Sequence, residues 1–356
     1  QAEDGIRDRS PSRGLGDVYK RQDPISQGTV GAAFAQSTAS KNNIIRIGFI
    51  GFLAALTPDL DVLIRSSDDP ILFLEYHRQF SHSLFFIPFG SLIVALLLFP
   101  FFKGSMCLKT VYVASFLGYA THGLLDACTS YGTQLFWPFS DERVTWNNIS
   151  IVDPLFTLPI VILLILAITT RRRMFSFIAI GWIVFYLSLG FVQYERTHTA
   201  AMQLADSRGH DAERLTLKPS FGNLILWKSI YQHDDVYFVD AIRTVYSSTW
   251  CSGESIRKFD YEYHLPSLDK NSQQARDIER FRWFSQDYLG YNEEDRLVTD
   301  IRYSMLPNQI TPMWGIVIDK NQNVDKHASW WTGRSLDQNQ LDLFKGMLSG
   351  KKCQDL

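Results

Sequence analysis

Apolar residues are concentrated in the first half of the chain, in blocks that short polar segments separate. One block, Leu84–Phe102, has nineteen residues without a charge, close to the roughly 20 that a membrane-spanning helix needs. Four further blocks have the same character: Ile47–Leu56, Thr110–Cys128, Pro154–Thr170 and Met174–Tyr194. The pattern predicts five spans, and the small-residue-rich segment Ser26–Thr38 is a candidate for a sixth span or a re-entrant helix.

The basic residues of the short loops indicate an orientation. Loops rich in Lys and Arg alternate with loops that have few, and the basic positions are Lys41, Arg46, Lys103, Lys109 and Arg171–Arg173. The positive-inside rule places these positions in the cytoplasm. We therefore expect a mainly α-helical, polytopic transmembrane bundle of five or six spans over residues 23–195, whose loops 57–83 and 127–153 face outward.

Residues 196–356 are polar and contain no candidate span. Short alternating runs predict strands at Leu224–Tyr231, Val236–Tyr246, Arg280–Phe284, Leu297–Ser304 and Met313–Ile318, and Leu336–Met347 predicts a closing helix. We expect an extracytoplasmic α+β domain with a mainly antiparallel sheet. Cys251 and Cys353 are hypothesised to pair there, because disulfides persist in oxidising compartments.

Overall composition hides this contrast between the two halves. The 356 residues are 46% hydrophobic, and their net charge of −2 disfavours a protein that binds nucleic acid through a basic face. Residues 1–22 have no apolar run and resemble translated library-adaptor sequences that recur at the ends of environmental assemblies. We interpret this segment as an adaptor-derived leader that is not native, and we exclude it from the prediction of the fold.

Ionisable side chains in membrane segments are costly, so each one needs a reason. In the predicted topology the unusual ones share the outer ends of the spans: Asp59, Asp61, His77, Arg78, His82, His122, Asp126 and Asp153. His122 and Asp126 are four residues apart and so share one face of a helix. His77 and His82 are five apart and would not, so we expect His82 in a first helical turn with Ser81 as its candidate N-cap.

Neutral imidazoles and carboxylates suit zinc, with manganese or iron as alternatives. The predicted metal ligands are His77, His82, His122, Asp59, Asp61, Asp126 and Asp153. Because this set exceeds the four ligands of one tetrahedral ion, the prediction allows for two or three metal ions. In the same interpretation Asp59 or Asp61 is a ligand or the catalytic base, and Arg78 neutralises a phosphate.

Several of these motifs resemble one protein family. The segments TPDLD, HRQFSHSLFF, GYATHGLLDACTSYGTQLFWPFSDERV and IVDPLFTLP, with DPISQGTVGAAFAQ at the start, resemble the YdjM-like family of bacterial inner-membrane metal-dependent hydrolases. The resemblance is close over residues 23–195 and looser over 196–356. It implies metal ligands at His77, His82, His122 and Asp126, with Asp59 and Asp61 nearby.

The resemblance also implies a function. The family is distantly similar to zinc-dependent phospholipases C, and Gln27 stands where many of its members have a His. We therefore expect a hydrolase of the bacterial inner (plasma) membrane that acts on a lipid-linked or phosphoester substrate at the outer leaflet. The first alternative is a non-enzymatic membrane protein that binds a metal or ion for transport or sensing, and the second is a scaffold whose polar groups pair with one another.

Overall fold

A computed structural model describes residues 23–319, 326–333 and 337–351. The predicted leader, residues 1–22, lies outside the described residues, as does Cys353. The first part of the described chain is helical and comprises α1 (Pro24–Ser37), α2 (Ile44–Leu56), the 3₁₀ helix η1 (Pro58–Leu63), α3 (Phe73–Tyr76), the 3₁₀ helix η2 (Phe80–His82), α4 (Ile87–Phe102), α5 (Leu108–Cys128), α6 (Pro154–Thr170) and α7 (Met174–Ser207).

Two Asp-Pro pairs begin helices in the same way. The Asp23 carboxylate accepts hydrogen bonds of 3.1 Å from the amides of the second and third following residues, at the start of α1. The Asp153 carboxylate does the same at the start of α6, at 3.0 and 3.3 Å. The proline that follows each Asp lacks the N–H that a first helical position would leave unsatisfied. Local sequence therefore fixes where α1 and α6 begin.

Helices α1, α2 and α5 pack closely because glycines face one another. A Cβ added to Gly118 on α5 would lie 2.2 Å from the carbonyl oxygen of Gly51 on α2. A Cβ added to Gly31 on α1 would lie 2.7 Å from the same oxygen. No larger side chain fits at these crossings, so the three backbones approach each other directly and bring the ends of α2 and α5 together.

The prediction of five or six membrane spans is wrong. Among the described residues, α7 alone is long and apolar enough to cross a membrane by itself, and 28% of its most apolar stretch is buried inside the molecule. A second candidate exists only if the segments Phe73–His82 and Ile87–Phe102 count as one span, and these meet at an angle of 83°. Helix α6 is apolar but has 17 residues. The described chain consists of these helices and two antiparallel sheets.

The apolar blocks fail as spans because the backbone interrupts them. Ser83 is extended, so the block from Leu84 becomes helical only at Ile87, and α4 has 16 residues. At 1.5 Å a residue that is about 24 Å, short of the roughly 30 Å of a bilayer core. Helix α5 has 21 residues, but it carries buried polar side chains such as Ser115 and His122. Counting apolar residues does not show where a helix starts.

Two four-stranded antiparallel sheets follow α7, with strand orders β1-β2-β3-β4 and β5-β6-β7-β8. The elements after α7 are β1 (Arg214–Pro219), β2 (Leu226–His233), β3 (Val236–Thr244), β4 (Ser248–Arg257), α8 (Tyr261–His264), α9 (Gln273–Phe284), β5 (Leu289–Asn292), β6 (Leu297–Asp300), β7 (Trp314–Val317), β8 (Ser329–Thr332) and α10 (Gln338–Ser349). Four of the predicted strands overlap β2, β3, β6 and β7.

The predicted strand Arg280–Phe284 is wrong, because these residues form the end of α9. Ser272 caps this helix by accepting a 3.1 Å hydrogen bond from the amide of Ala275. The alternation in RFRWF fits a strand, but the same apolar positions are buried on one side of a helix that begins seven residues earlier. A short apolar run fits both the two-residue repeat of a strand and the 3.6-residue repeat of a helix, so it does not distinguish them.

One apolar core joins the helical region to the sheets. Ile71 and Tyr131, from loops of the helical region, are buried together with Phe281 and Phe284 of α9. The predicted boundary between residues 195 and 196 falls within α7, which runs on into the part that packs against the first sheet. The loops around the predicted metal site therefore pack against the sheet region.

Candidate metal centre

Four of the predicted ligands converge from distant parts of the chain: Asp59, His82, His122 and Asp126. One ligand atom of each residue lies within 4.8 Å of the other three. Asp59 comes from η1 and His82 from η2, whereas His122 and Asp126 come from the last turns of α5. Asp59 keeps 14% of its side chain exposed, whereas the side chains of the other three residues are buried. We call these four residues the tetrad.

The spacing of the tetrad is that of atoms around one shared ion. The two imidazole Nε2 atoms are 2.9 Å apart. Asp59 Oδ1 lies 3.4 Å from Nε2 of His82 and 3.2 Å from Nε2 of His122, and Asp126 Oδ2 lies 3.2 and 3.5 Å from the same two atoms. Ligands of tetrahedral zinc, with bonds of about 2.0–2.1 Å, are about 3.3–3.4 Å from one another. The four residues could therefore hold a divalent metal ion.

Two backbone features bring the tetrad together. Pro58 cannot continue α2, so the chain turns into η1 and carries its carboxylates inward. At the other side η2 lies directly on α5, where a Cβ added to Gly123 would be 2.1 Å from the carbonyl oxygen of His82. Glycine at this position allows the loop with His82 to reach the imidazole of His122.

The outer nitrogens of both imidazoles are fixed by acceptors. Nδ1 of His122 lies 2.5 Å from the carbonyl oxygen of Ala55, which can only accept, so Nδ1 carries the proton. Nδ1 of His82 lies 3.2 Å from Asp61 Oδ2 and 3.0 Å from Ser81 Oγ. In the neutral form each Nε2 then presents a lone pair to the centre of the tetrad, the arrangement that metal-binding histidines have.

The centre carries an excess of negative charge. Asp59, Asp61 and Asp126 lie together with one guanidinium, that of Arg78, whose Nε is 3.0 Å from Asp126 Oδ2. With neutral imidazoles the net charge is −2, which a divalent cation would balance. Asp126 Oδ2 is buried and forms an ion pair with Arg78, but it accepts no aligned hydrogen bond. One guanidinium does not balance three buried carboxylates, and buried charge is costly unless it is paired or bound to a metal ion.

The ionisable groups shift one another strongly. Burial acts to raise the pKa of Asp59 and of Asp126. The charge of His122 outweighs burial at Asp59, and the charges of Arg78 and His122 outweigh it at Asp126. The pKa of each carboxyl therefore lies below its usual range. Burial acts to lower the pKa of the imidazoles, yet the carboxylates raise that of His82 well above its usual value and that of His122 to about 9. The carboxylates thus favour positive charge at this point, whether it comes from protons or from a metal ion.

Asp61 and His77, also predicted as ligands, lie outside the tetrad. Asp61 Oδ1 is 2.8 Å from Nδ1 of His77, and its Oδ2 accepts hydrogen bonds of 2.9 Å from the amide of Arg78 and from Ser81 Oγ. Because its oxygens already have these partners and contact His82, Asp61 orients a ligand rather than facing the centre. Ser81 makes no cap for η2, so the predicted N-cap at this residue is wrong.

Arg78 lies between the tetrad and the sheet region. Its φ is +64°, a conformation that is uncommon for a residue with a side chain and that occurs often at functional sites. The guanidinium donates a 3.1 Å hydrogen bond to Thr129 and lies 4.8 Å from the centre of the Tyr131 ring. Tyr131 belongs to the core shared with α9, so the sheet region supports the cation that holds Asp126.

Asp153 is one of the residues that line a small cavity beside the tetrad. The cavity measures about 20 Å³, and its lining includes Asp59, Arg78, Asp126, Gln27 and Asp153. That volume is enough for roughly one water molecule. The Asp153 carboxylate caps α6 and accepts a 2.8 Å hydrogen bond from the hydroxyl of Tyr186. Burial raises its pKa, against these hydrogen bonds.

Sequence analysis did not assign the groups that orient the tetrad. Gln27 donates a 2.8 Å hydrogen bond from Nε2 to Asp126 Oδ1, and its buried Oε1 has no hydrogen-bond partner. The Ala55 carbonyl and the Ser81 hydroxyl orient the two imidazoles. A backbone carbonyl has no sequence signature, and Gln27 was singled out only through the family resemblance, as the residue that stands where many members have a His.

Comparison with known proteins agrees with the membrane motifs. The model of the YdjM inner membrane protein family matches residues 23–198. A relative from Bacillus subtilis (strain 168), described as "Uncharacterized protein YfhP", is 29% identical over 97 residues. That alignment covers 27% of this chain and 29% of the relative, so the chain matches less than a third of the relative's length. No solved structure matches the chain significantly.

Proposed function

Residues 23–198 belong to the YdjM inner membrane protein family, and from this premise we propose that the protein is a membrane-bound, metal-dependent hydrolase of lipid-linked esters or phosphoesters. The tetrad is the observation that carries the proposal. Two imidazole nitrogens and two carboxylate oxygens are spaced as metal ligands, and one of those oxygens, Asp126 Oδ2, accepts no aligned hydrogen bond. Zinc fits this set of donors best, with manganese or iron as alternatives.

A bound zinc ion would lower the pKa of a water ligand towards about 7 and so supply a nucleophile at neutral pH. The protein's own groups prepare for this. Ala55 and Ser81 hold the imidazoles, and Gln27 and Arg78 hold Asp126, so little reorganisation is needed when the ion binds. Arg78 also lines the cavity beside the tetrad, where its positive charge favours an anionic substrate group such as a phosphate.

Exposed apolar side chains support a substrate carried by a lipid. Leu60 and Leu63 lie on η1, the element that contributes Asp59, and are 54% and 71% exposed. Phe85 and Phe89, just after His82, are also exposed. Apolar side chains that ring a polar site suit contact with a bilayer surface, where a lipid headgroup would meet the metal ion.

We further propose that the sheet region lies outside the cytoplasm. Cys251 on β4 is disulfide-bonded, whereas Cys107 and Cys128 are free thiols. Disulfides are rare in a reducing cytosol, so the bonded cysteine favours an extracytoplasmic position. The predicted partner of Cys251, Cys353, lies outside the described residues, and the pairing stays a prediction.

Metal analysis of the detergent-purified protein tests the first half of the proposal. We expect about one zinc or manganese ion per chain, and loss of this ion in His122→Ala. His233→Ala is a matched control, because this half-buried imidazole of β2 lies outside the tetrad. Equal metal content in the wild type and in His122→Ala would contradict the metal site.

Hydrolysis of phospholipids in vesicles, with and without a chelator, tests the second half. We expect release of headgroups that stops in the chelator and returns when zinc is added back. A protein that retains its metal ion and hydrolyses none of a panel of phospholipids would instead have a binding or sensing site, the first alternative. This outcome separates the metal site from the reaction.

A further inference from the structure

An open groove, separate from the small cavity beside the tetrad, lies where the segment 134–141 meets α9. Its volume is about 780 Å³, within the range of about 300–1,000 Å³ that small-molecule sites occupy. Such sites are common where two structural regions meet, and this groove lies between the helical region and the sheet region. The proposed hydrolysis makes no use of it.

The groove is negatively charged. Three carboxylates and one guanidinium line it: Glu75, Asp141, Glu279 and Arg280. The guanidinium is shared among several acids, because Arg280 forms ion pairs with Glu75, Asp69 and Asp277. Arg282 adds one more cation, 3.2 Å from Glu279. Carboxylates still outnumber guanidiniums when these partners are included, so a cationic ligand fits the groove better than an anionic one.

Aromatic rings lie among these charges. Trp137 and Phe139 from the segment 134–141, and Trp283 from α9, line the same groove. The Arg143 guanidinium lies 5.4 Å from the centre of the Trp283 ring, so one ring of this wall already holds a cation of the protein itself. Rings beside carboxylates suit an organic ammonium group, because the ring faces attract its charge and the apolar surface accommodates its carbon atoms.

The groove is continuous with the exposed apolar side chains at the start of α4. The ring of Phe139 is 5.8 Å from that of Phe85, which is 5.6 Å from that of Phe89. All three side chains are exposed, Phe139 at 82%. A soluble amine would gain little from such a border, whereas a lipid would place its acyl chains on the apolar side chains and its headgroup in the groove.

We infer that this groove is a binding site for the ammonium group of a phospholipid headgroup. The site is distinct from the tetrad, but it adjoins the loop that carries His82. Gln134 and Gln79 line the groove. The amide of Gln134 donates a 2.9 Å hydrogen bond to the carbonyl of Arg78, and the carbonyl of Gln79 accepts one of 3.1 Å from the amide of His82. A lipid bound here is therefore held beside the metal centre, whether or not the centre hydrolyses it.

Binding of short-chain phospholipids to the full chain in a neutral detergent tests the inference. Dihexanoyl phosphatidylethanolamine, phosphatidylcholine and phosphatidylglycerol are titrated by calorimetry in the presence of a chelator, so that neither metal binding nor hydrolysis contributes. We expect the two ammonium lipids to bind at least about 10-fold more tightly than phosphatidylglycerol. Equal affinity for all three would overturn the inference. Equal affinity for free phosphoethanolamine and for the lipid would overturn the choice of a lipid.

Two exposed positions allow the groove to be changed without disturbing the core. Asp141→Asn removes one charge from the groove, and Glu142→Gln is the matched control, an adjacent exposed carboxylate that does not line it. We expect Asp141→Asn to weaken binding of phosphatidylethanolamine by about 2–5-fold and Glu142→Gln to leave it unchanged. The same change in both variants would reduce the effect to general surface charge and overturn the site.

Phe139→Leu tests the aromatic ring separately, because it keeps an apolar side chain and removes the ring face. We expect it to weaken binding of phosphatidylcholine by about 2–5-fold and to leave that of phosphatidylglycerol unchanged. Phe221→Leu is the control, since Phe221 is 66% exposed and does not line the groove. Unchanged phosphatidylcholine binding in both Phe139→Leu and Asp141→Asn would overturn the inference.

Failure of the proposed hydrolase has a different signature. A protein without metal ion or without activity would still discriminate among the three lipids in the chelator. A protein that hydrolyses lipids but shows no such discrimination would retain the proposed function and lose the headgroup site.

Discussion

Two of the buried charged centres in the described part of the chain are built differently. In the sheet region Arg302 donates hydrogen bonds of 2.8 Å to each oxygen of Asp300, and its other donors reach Phe284 O and Gln286 Oε1 at 3.0 Å. In the helical region Arg78 Nε lies 3.0 Å from Asp126 Oδ2 without an aligned hydrogen bond. The first centre pairs one guanidinium with one carboxylate through aligned hydrogen bonds, whereas the second gathers three carboxylates around one guanidinium and brings two imidazole Nε2 atoms within 2.9 Å of each other.

This difference separates a structural ion pair from a binding site. Burying charge is tolerated when partners satisfy it, as around Arg302. The tetrad is satisfied only when something positive enters it. Burial and a perturbed pKa occur in both centres, so neither property alone identifies function. What distinguishes the tetrad is its set of ligand atoms, two imidazole nitrogens and two carboxylate oxygens close enough to share one ion.

The largest expected effect is on metal binding. Asp126→Asn removes a ligand and one negative charge, and we expect metal affinity to fall by more than about 100-fold. The free energy of unfolding in a chelator should fall by less than about 1 kcal/mol, because the change also relieves repulsion among carboxylates. Metal analysis and denaturant unfolding with and without chelator measure both effects. Tight metal binding in Asp126→Asn would remove the distinction between the centres.

The opposite behaviour is expected at the structural centre. Arg302→Met leaves Asp300 buried without its partner, and we expect a loss of about 3–5 kcal/mol in the free energy of unfolding. Metal content should not change, since Arg302 has no contact with the tetrad. The double variant Arg302→Met with Asp300→Leu should recover much of the loss. A fall in metal content of the folded single variant would couple the two centres.

Removing the metal ion should destabilise the wild type. At a free metal concentration of about 100 Kd, binding contributes about 2.7 kcal/mol, so we expect a chelator to lower Tm by about 5 °C. Thermal unfolding followed by circular dichroism measures the shift. Asp126→Asn is the control and should show no response to the chelator, because it has no ion to lose.

A smaller effect is expected from a group that only orients a ligand. Ser81→Ala removes the hydroxyl between Asp61 and His82, and we expect metal affinity to fall by about 10–100-fold. Competition with a chromophoric chelator measures it. Ser83→Ala, two residues further along the chain and bonded to the carbonyl of Phe80, is the control and should keep the wild-type affinity.

The last prediction concerns the pH dependence that Lys228, near the structural centre, confers on stability. Burial lowers the pKa of Lys228 to about 7, against Asp300, so the folded protein binds fewer protons than the unfolded chain, whose lysine has a pKa of 10.5. The free energy of unfolding should therefore rise with pH, by at most about 1.4 kcal/mol per pH unit from pH 7 towards 10. In the other direction, the stability that the neutral Lys228 contributes is lost as pH falls towards about 7. Unfolding of wild type and Lys228→Met at pH 7, 8 and 9 measures the slope. An equal slope in both proteins would contradict the assignment.

Much of the candidate site was readable from the sequence. The spacing of His122 and Asp126 on one helical turn, and the position of Asp59 after Pro58, depend on local geometry that residue order specifies. His77 and Asp61 have the same residue types and similar positions, but they lie behind the tetrad. Residue type does not show which of two carboxylates in TPDLD faces the centre, because that depends on where η1 packs.

The sequence also predicted that the His and Asp side chains of the site lie together, but the reason it gave was wrong. It placed them at one depth of a polytopic bundle, but α4 is too short and the chain bends by 83° before it. The groups meet because Gly118 and Gly123 let α2, η2 and α5 approach closely. The convergence is a result of helix packing rather than of membrane topology.

By itself, the sequence determined the ligand types, the capping of α1 and α6 at two Asp-Pro pairs, and the polar, strand-rich character of the chain after α7. These are local properties, set by residues within a few positions of one another. Only the tertiary structure decided which side chains share the tetrad, that Gln27 and a backbone carbonyl orient it, and that Asp61 and His77 lie outside it. Those relations join residues up to 100 or so positions apart, and they depend on close-packed backbone contacts that no local pattern encodes.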